Sequence, residues 1–148
     1  MKVARALQGV TSILLDSAPA IYHLEENPAY AAVMKEFFRV RALQGITIVS
    51  TPITLAECLV HPYRLGMMEL RESYHRLIVE GEGTEFWTIA AAEADAAAKV
   101  RSAHNLRLAD ALQVAIAGLA GCQAILTNDV EMKKAPGLRV LLVSELEP

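Results

Sequence analysis

The chain has 148 residues and a net charge of −3; 53% of its residues are hydrophobic and 21% are charged. This composition excludes an intrinsically disordered chain, and the acidic balance argues against a protein that coats nucleic acid by positive charge alone. No apolar run approaches the ~20 residues of a membrane span, and no signal peptide is evident. Cys58 and Cys122 lie far apart among apolar residues, which favours buried thiols in a reducing cytoplasm. We expect one globular domain over residues 1–148.

Short apolar segments alternate with helical patterns along the chain. In chain order the pattern predicts strand 12–15, helices 18–24 and 28–43, strand 46–49, helices 53–60 and 63–79, strand 85–89, helices 90–103 and 108–119, and strands 123–126 and 138–143. Short all-apolar strands separated by helices are typical of a parallel sheet that is covered on both faces. The sequence therefore predicts an α/β fold.

Four acidic residues stand where a charge is unexpected. Asp16 ends the apolar run SILLD, and Asp129 ends AILTND, so both follow predicted strands. Glu57 lies within ITLAECLV and Asp110 within LRLADALQVAIA, two segments that are otherwise mostly apolar. A carboxylate in an apolar segment is costly to bury unless it is paired, hydrogen-bonded or bound to a metal. In α/β sheets, moreover, binding sites form at the carboxyl ends of strands.

Each of these acids also has a purely structural explanation. Asp16 and Asp129 are suited to cap the helices that follow them, and Asp110 is suited to the first turn of its helix. Glu57 could point outward past the edge of its helix. Four such positions together favour a shared site, and clusters of carboxylate oxygens suit hard cations such as Mg²⁺ or Mn²⁺. The histidines show no metal-binding spacing, and the chain contains no phosphate-binding glycine loop.

The order of three segments resembles PIN domains, and most of all the compact prokaryotic VapC-type ribonucleases. The segments are LLDSAPAIYHLEENPAY, STPITLAECLVHPYRLG and HNLRLADALQVAIAGLAGCQAILTNDVEMKKAPGLRVLLVSEL. The resemblance covers residues from about 12 to 146 and leaves residues 1–11 as an N-terminal extension. It implies a parallel sheet of about five strands, sandwiched between helices.

The same resemblance implies a function. It indicates an endoribonuclease that depends on Mg²⁺ or Mn²⁺, acts as the toxin of a type II toxin–antitoxin pair, cleaves RNA, binds a cognate antitoxin and forms a homodimer. The family's acidic residues carry over as catalytic residues and metal ligands to Asp16, Glu57, Asp110 and Asp129. The residues that match the family's supporting positions are Ser17, Thr127 and Asn128.

Two departures from the family pattern leave an alternative open. Ala18 stands where many members have Asn or Ser, and Met132 stands where many have an aromatic residue. The alternative is a non-catalytic PIN-like module that binds RNA or a partner protein. For a catalytic protein, a rim of basic side chains is expected to hold the RNA backbone. The candidates are Arg64, Lys99, Arg101, Arg107, Lys133 and Lys134.

Overall fold

Helices cover both faces of a five-stranded parallel sheet, as the sequence predicts. The computed structural model describes residues 1–148. The strands are β1 Ser12–Leu15, β2 Thr47–Ser50, β3 Thr84–Phe86, β4 Ala124–Thr127 and β5 Arg139–Leu142. The helices are α1 Val3–Ala6, α2 Ser17–Leu24, α3 Ala31–Gln44, α4 Pro52–Leu65, α5 Met68–Ile78, α6 Ala91–His104 and α7 Leu108–Leu119, with short 3₁₀ helices at Val130–Lys134 and Val143–Glu145. None of the helices combines the length and apolar composition needed to cross a membrane.

The central strand β1 feeds two hydrophobic cores. Ile13 and Leu15 point into a core that is closed by α1 to α5, whereas Leu14 points into a second core under α6 and α7. All three side chains are almost completely buried, which is why the strand reads as a continuous apolar run. The predicted buried, unpaired state of the two cysteines is also confirmed.

The strand order places β1 at the point where the chain changes direction across the sheet. The order is β3-β2-β1-β4-β5, and every neighbouring pair is parallel. From β1 the chain moves to β2 on one side, and it later returns to β4 on the other side. The carboxyl ends of β1 and β4 therefore lie next to each other at a topological switch point, where sites form in sheets of this kind.

Several predicted boundaries were wrong, two of them for identifiable reasons. The predicted break before Pro62 does not occur: α4 continues through it to Leu65, and Gly66 caps the helix with a φ of 64°, in the left-handed region. A proline inside a helix removes one backbone hydrogen bond, and here the helix ends three residues later. The helix predicted from residue 28 begins at Ala31, because the Asn27 side chain accepts a bond from the Ala29 N–H and forms a turn. Strand β3 ends at Phe86 rather than at residue 89.

The N-terminal segment, expected to be an extension, contributes to the main core. Val3, Leu7 and Val10 are at most 5% exposed. The Val3 N–H donates to the Glu147 carbonyl at 2.9 Å, and the Glu147 N–H donates to the Met1 carbonyl at 2.8 Å. The short helix α1 thus packs beside the last residues of the chain and covers the core on the side of α3.

Leu7→Ala tests this packing. Because Leu7 is fully buried, its truncation is expected to lower the free energy of unfolding by about 2–5 kcal/mol. Gln8→Ala, at the neighbouring exposed position, should change it by less than about 0.5 kcal/mol. Urea denaturation of both variants measures the difference. Equal, small effects would show that the segment does not pack as described.

Candidate active site

A cleft of about 310 Å³ opens at the edge of the sheet where β1 and β4 end. The four predicted acids line this cleft together: Asp16, Glu57, Asp110 and Asp129. They come from four different elements. Asp16 follows β1, Glu57 lies on α4, Asp110 lies in the first turn of α7, and Asp129 comes two residues after β4. The predicted supporting residues also line it: Ser17, Thr127 and Asn128.

Asp16 both caps helix α2 and lines the cleft. Its Oδ1 accepts a hydrogen bond from the Ser17 N–H at 2.9 Å, which caps the N-terminus of α2. Its Oδ2 accepts from the Thr127 hydroxyl at 2.6 Å, and Thr127 in turn accepts from the Asp129 N–H at 3.1 Å. The capping explanation and the shared-site explanation therefore both describe this residue, which is 9% exposed.

Gln113 is a residue of the site that the sequence analysis missed. Its Nε2 donates to Asp16 Oδ1 at 3.2 Å and to the Thr54 hydroxyl at 2.8 Å, while its Oε1 accepts from the Thr51 hydroxyl at 2.6 Å. The side chain is 1% exposed. The signal was present in the sequence, because Gln113 is a polar residue within an apolar helix, one turn after Asp110.

Glu57 is joined to the Asp16 region through Ser17. The Ser17 hydroxyl donates to Glu57 Oε2 at 3.0 Å. Although Glu57 reaches the surface of the cleft, partial loss of water around its carboxyl raises its pKa. The negative charges of Asp16 and Asp110 add to that rise, and the Ser17 hydrogen bond opposes it. A carboxyl held in this way takes up a proton more readily than an ordinary glutamate.

Arg107 bridges the other two acids. Its Nε donates to Asp110 Oδ2 at 3.1 Å, and its Nη2 donates to Asp129 Oδ2 at 3.2 Å. The Asp110 side chain is 15% exposed, and burial raises its pKa, whereas the Arg107 guanidinium opposes that rise. The sequence analysis placed Arg107 on a basic rim around the site, and the structure places its guanidinium directly on two of the acids.

Asn128 fastens the loop after β4 rather than joining the acids. Its Nδ2 donates to the Tyr22 hydroxyl at 3.2 Å, and its Oδ1 accepts from the Ser144 N–H at 3.0 Å. Tyr22 lines the cleft and stacks on Tyr30 with 4.6 Å between ring centroids. Two other candidates for the basic rim are engaged elsewhere, since Lys133 pairs with Glu145 and Lys134 with Glu131.

The chemistry of the cleft fits a hard divalent cation. Four carboxylates line it, without any thiol or imidazole. In the conformation described, however, no three acidic, histidine or cysteine side chains are grouped as the ligands of one ion. Arg107 holds two of the carboxylates and Ser17 holds a third. An ion bound by several of the acids would require their side chains to rotate.

Comparison with known proteins identifies the fold. The PIN domain family model matches residues 13–138, while no curated protein matches the sequence significantly. Among solved structures, the chain is similar to VapC20 of Mycobacterium tuberculosis, described as a sarcin-ricin loop cleaving toxin. The TM-score is 0.65 and the identity 15%, over 86% of this chain and 98% of that one.

Two further solved structures are also similar to the chain. One is VapBC2 of Rickettsia felis bound to promoter DNA, with a TM-score of 0.63 and 17% identity over 88% of this chain and 98% of that one. The other is FitAcB of Neisseria gonorrhoeae, with a TM-score of 0.63 and 19% identity over 90% of this chain and 99% of that one. At these identities the similarity establishes the fold alone.

Gln113→Leu tests the buried network. The substitution preserves most of the side-chain volume but leaves the Thr51 hydroxyl without its acceptor and Asp16 without one donor. We expect the free energy of unfolding to fall by about 1–3 kcal/mol. Gln44→Leu, at an exposed position at the end of α3, is the matched control and should have little effect. Similar denaturation midpoints for the two variants would contradict the role of the network.

Glu57→Gln tests the raised pKa through the pH dependence of stability. A carboxyl whose pKa is raised on folding stabilises the fold when it is protonated, and this contribution is lost as the pH rises through the raised pKa. We expect the Tm difference between the parent and Glu57→Gln (parent minus variant), measured in EDTA, to increase as the pH falls from about 7.5 to about 5.

Glu80→Gln provides the control for this experiment, because it removes an exposed glutamate outside the cleft. Its Tm difference from the parent should depend less on pH. The raised pKa of Glu57 would be refuted if the Tm difference between the parent and Glu57→Gln stayed constant or decreased on acidification.

Proposed function

Because the chain belongs to the PIN domain family, we propose that it is a metal-dependent endoribonuclease that cleaves RNA phosphodiester bonds. The observation that carries the proposal is the meeting of Asp16, Glu57, Asp110 and Asp129 in one cleft at the carboxyl ends of β1 and β4. A mildly acidic protein with four carboxylates at this point needs a cation before it can approach a phosphate.

We assign Asp16, Glu57, Asp110 and Asp129 as the residues that would hold Mg²⁺ or Mn²⁺. When bound, such an ion neutralises charge on the phosphoryl oxygens and lowers the pKa of water. The protein's own part is positioning. Thr127, Gln113 and the Ser17 N–H hold the Asp16 carboxylate in one orientation, so this one ligand needs little reorganisation when an ion binds.

Glu57 is the best candidate for a general base within this set. The Ser17 hydroxyl fixes Glu57 Oε2, while Glu57 Oε1 accepts no hydrogen bond and is free to accept a proton. In this proposal Glu57 takes the proton from the attacking water. Asp110 and Asp129 differ from Glu57, because one oxygen of each is bonded to the Arg107 guanidinium, and they contribute negative charge to the site.

We further propose that the protein is the toxin of a toxin–antitoxin pair and that its partner is a cognate antitoxin. Support comes from the structurally similar chains, which include VapC20, described as a sarcin-ricin loop cleaving toxin, and the chains of VapBC2 and FitAcB. The surface also offers apolar side chains around the turn between α4 and α5. The exposed residues there are Val60, Tyr63, Leu65, Met67 and Met68. Exposed apolar side chains of this kind would be buried on binding a protein partner or a second copy of the chain in a homodimer.

RNA cleavage by the purified protein tests the proposed activity. With Mg²⁺ or Mn²⁺ we expect cleavage of RNA, and with excess EDTA we expect none. Asp110→Asn keeps the shape of the side chain but removes its charge, and should lower the rate at least about 100-fold, since transition-state charge stabilisation worth several kcal/mol is lost. Asp95→Asn is the matched control, because Asp95 is exposed on α6 outside the cleft.

Two outcomes would overturn this proposal. Undiminished cleavage in EDTA would reject the metal dependence. Binding of RNA without cleavage under all metal conditions would favour the non-catalytic module instead. Parallel incubation with single-stranded DNA of the same sequence separates a ribonuclease from a general nuclease.

A further inference from the structure

Arg107 is the only basic side chain that lines the acidic cleft. Its guanidinium bonds to Asp110 Oδ2 and Asp129 Oδ2 and makes no other hydrogen bond. The two carboxylates belong to different elements, so the guanidinium spans the mouth of the cleft. It takes the position of a counterion in a site whose other charged groups are all negative.

The backbone of Arg107 is anchored in the fold, whereas its side chain is exposed to solvent. Leu106, directly before it, is 3% exposed in the second core. The Arg107 carbonyl accepts the first helical hydrogen bond of α7, from the Ala111 N–H at 2.9 Å. The Arg107 side chain, in contrast, is 79% exposed. Any change at this position is therefore a rotation of the side chain that leaves the helix in place.

The two ion pairs hold Asp110 and Asp129 in an arrangement that is not that of metal ligands. No three acidic side chains are grouped around one point while Arg107 bridges two of them. A divalent ion that binds these carboxylates must compete with the guanidinium for the same oxygens. Ion pairs of an exposed arginine are weak, so the competition should reduce the affinity for the ion severalfold and leave the site functional.

We propose that Arg107 is a resident counterion that exchanges partners during the reaction cycle. It binds Asp110 and Asp129 when no metal ion is present and is displaced from them by the divalent ion. It then binds a non-bridging oxygen of the RNA phosphate at the mouth of the cleft. The planar, exposed guanidinium suits both partners, because it donates paired hydrogen bonds to carboxylates and to phosphates alike. This inference rests on the proposed metal-dependent ribonuclease function.

Arg107→Ala separates this role from a structural one, because its two effects run in opposite directions. Titration calorimetry with MnCl₂ alone should show an affinity about 2- to 10-fold higher than in the parent, since the competing cation is gone. Single-turnover RNA cleavage at saturating Mn²⁺ should be at least about tenfold slower, since a donor to the phosphate is gone. A variant that merely folds poorly would lose both ion affinity and cleavage.

Two further variants control the experiment. Arg76→Ala removes a positive charge from the exposed face of α5, outside the cleft, and should alter neither quantity. Arg107→Lys keeps the positive charge but loses the paired donors of the guanidinium. We expect its affinity for Mn²⁺ to lie between those of the parent and Arg107→Ala, and its RNA cleavage to remain slow.

The outcomes distinguish this inference from the proposed function. If the parent binds no Mn²⁺, the metal-dependent function fails and the exchange fails with it. If the parent binds Mn²⁺ and cleaves RNA, but Arg107→Ala binds the ion no more tightly or cleaves as fast as the parent, the exchange alone is refuted.

Discussion

The hydrogen bonds accepted by the Asp16 carboxylate hold the active edge of the sheet together. They link the start of α2 through Ser17, helix α7 through Gln113 and strand β4 through Thr127. All three donors are neutral, so they stabilise the negative charge without cancelling it. The Asp16 carboxylate is therefore held in place with its charge intact, in the cleft that the three other acids also line.

This arrangement depends on the parallel sheet. Parallel strands bring their carboxyl ends to one edge, and the order β2-β1-β4 brings the ends of β1 and β4 into contact there. Thr127, the last residue of β4, is completely buried and bonds to both Asp16 and the backbone of Asp129. The scaffold and the site are thus connected by the same side chain, and a displacement of β4 would move two acids at once.

Much of the fold could be predicted from the sequence, because apolar periodicity reports burial directly. The bounds of β1 and α7 agree with the prediction, and the four acids were recognised because they interrupt apolar segments. The break predicted at Pro62 was wrong, since one lost backbone bond near a helix end is tolerable. The strand order and the place of Arg107 could not be predicted, since both depend on contacts between residues distant in sequence. Gln113 carries the same sequence signal as Asp110, since both are polar residues within the apolar segment of α7.

The burial of both cysteines has a practical consequence. Cys58 is 1% exposed, with its sulfur 3.8 Å from the Ser17 carbonyl, and Cys122 is 8% exposed beside Ser12. Burial raises the pKa of both thiols, so the reactive thiolate is scarce at neutral pH. The two natural thiols should therefore react slowly with maleimides. A single cysteine introduced on the surface can carry a fluorophore or spin label without removal of either natural thiol.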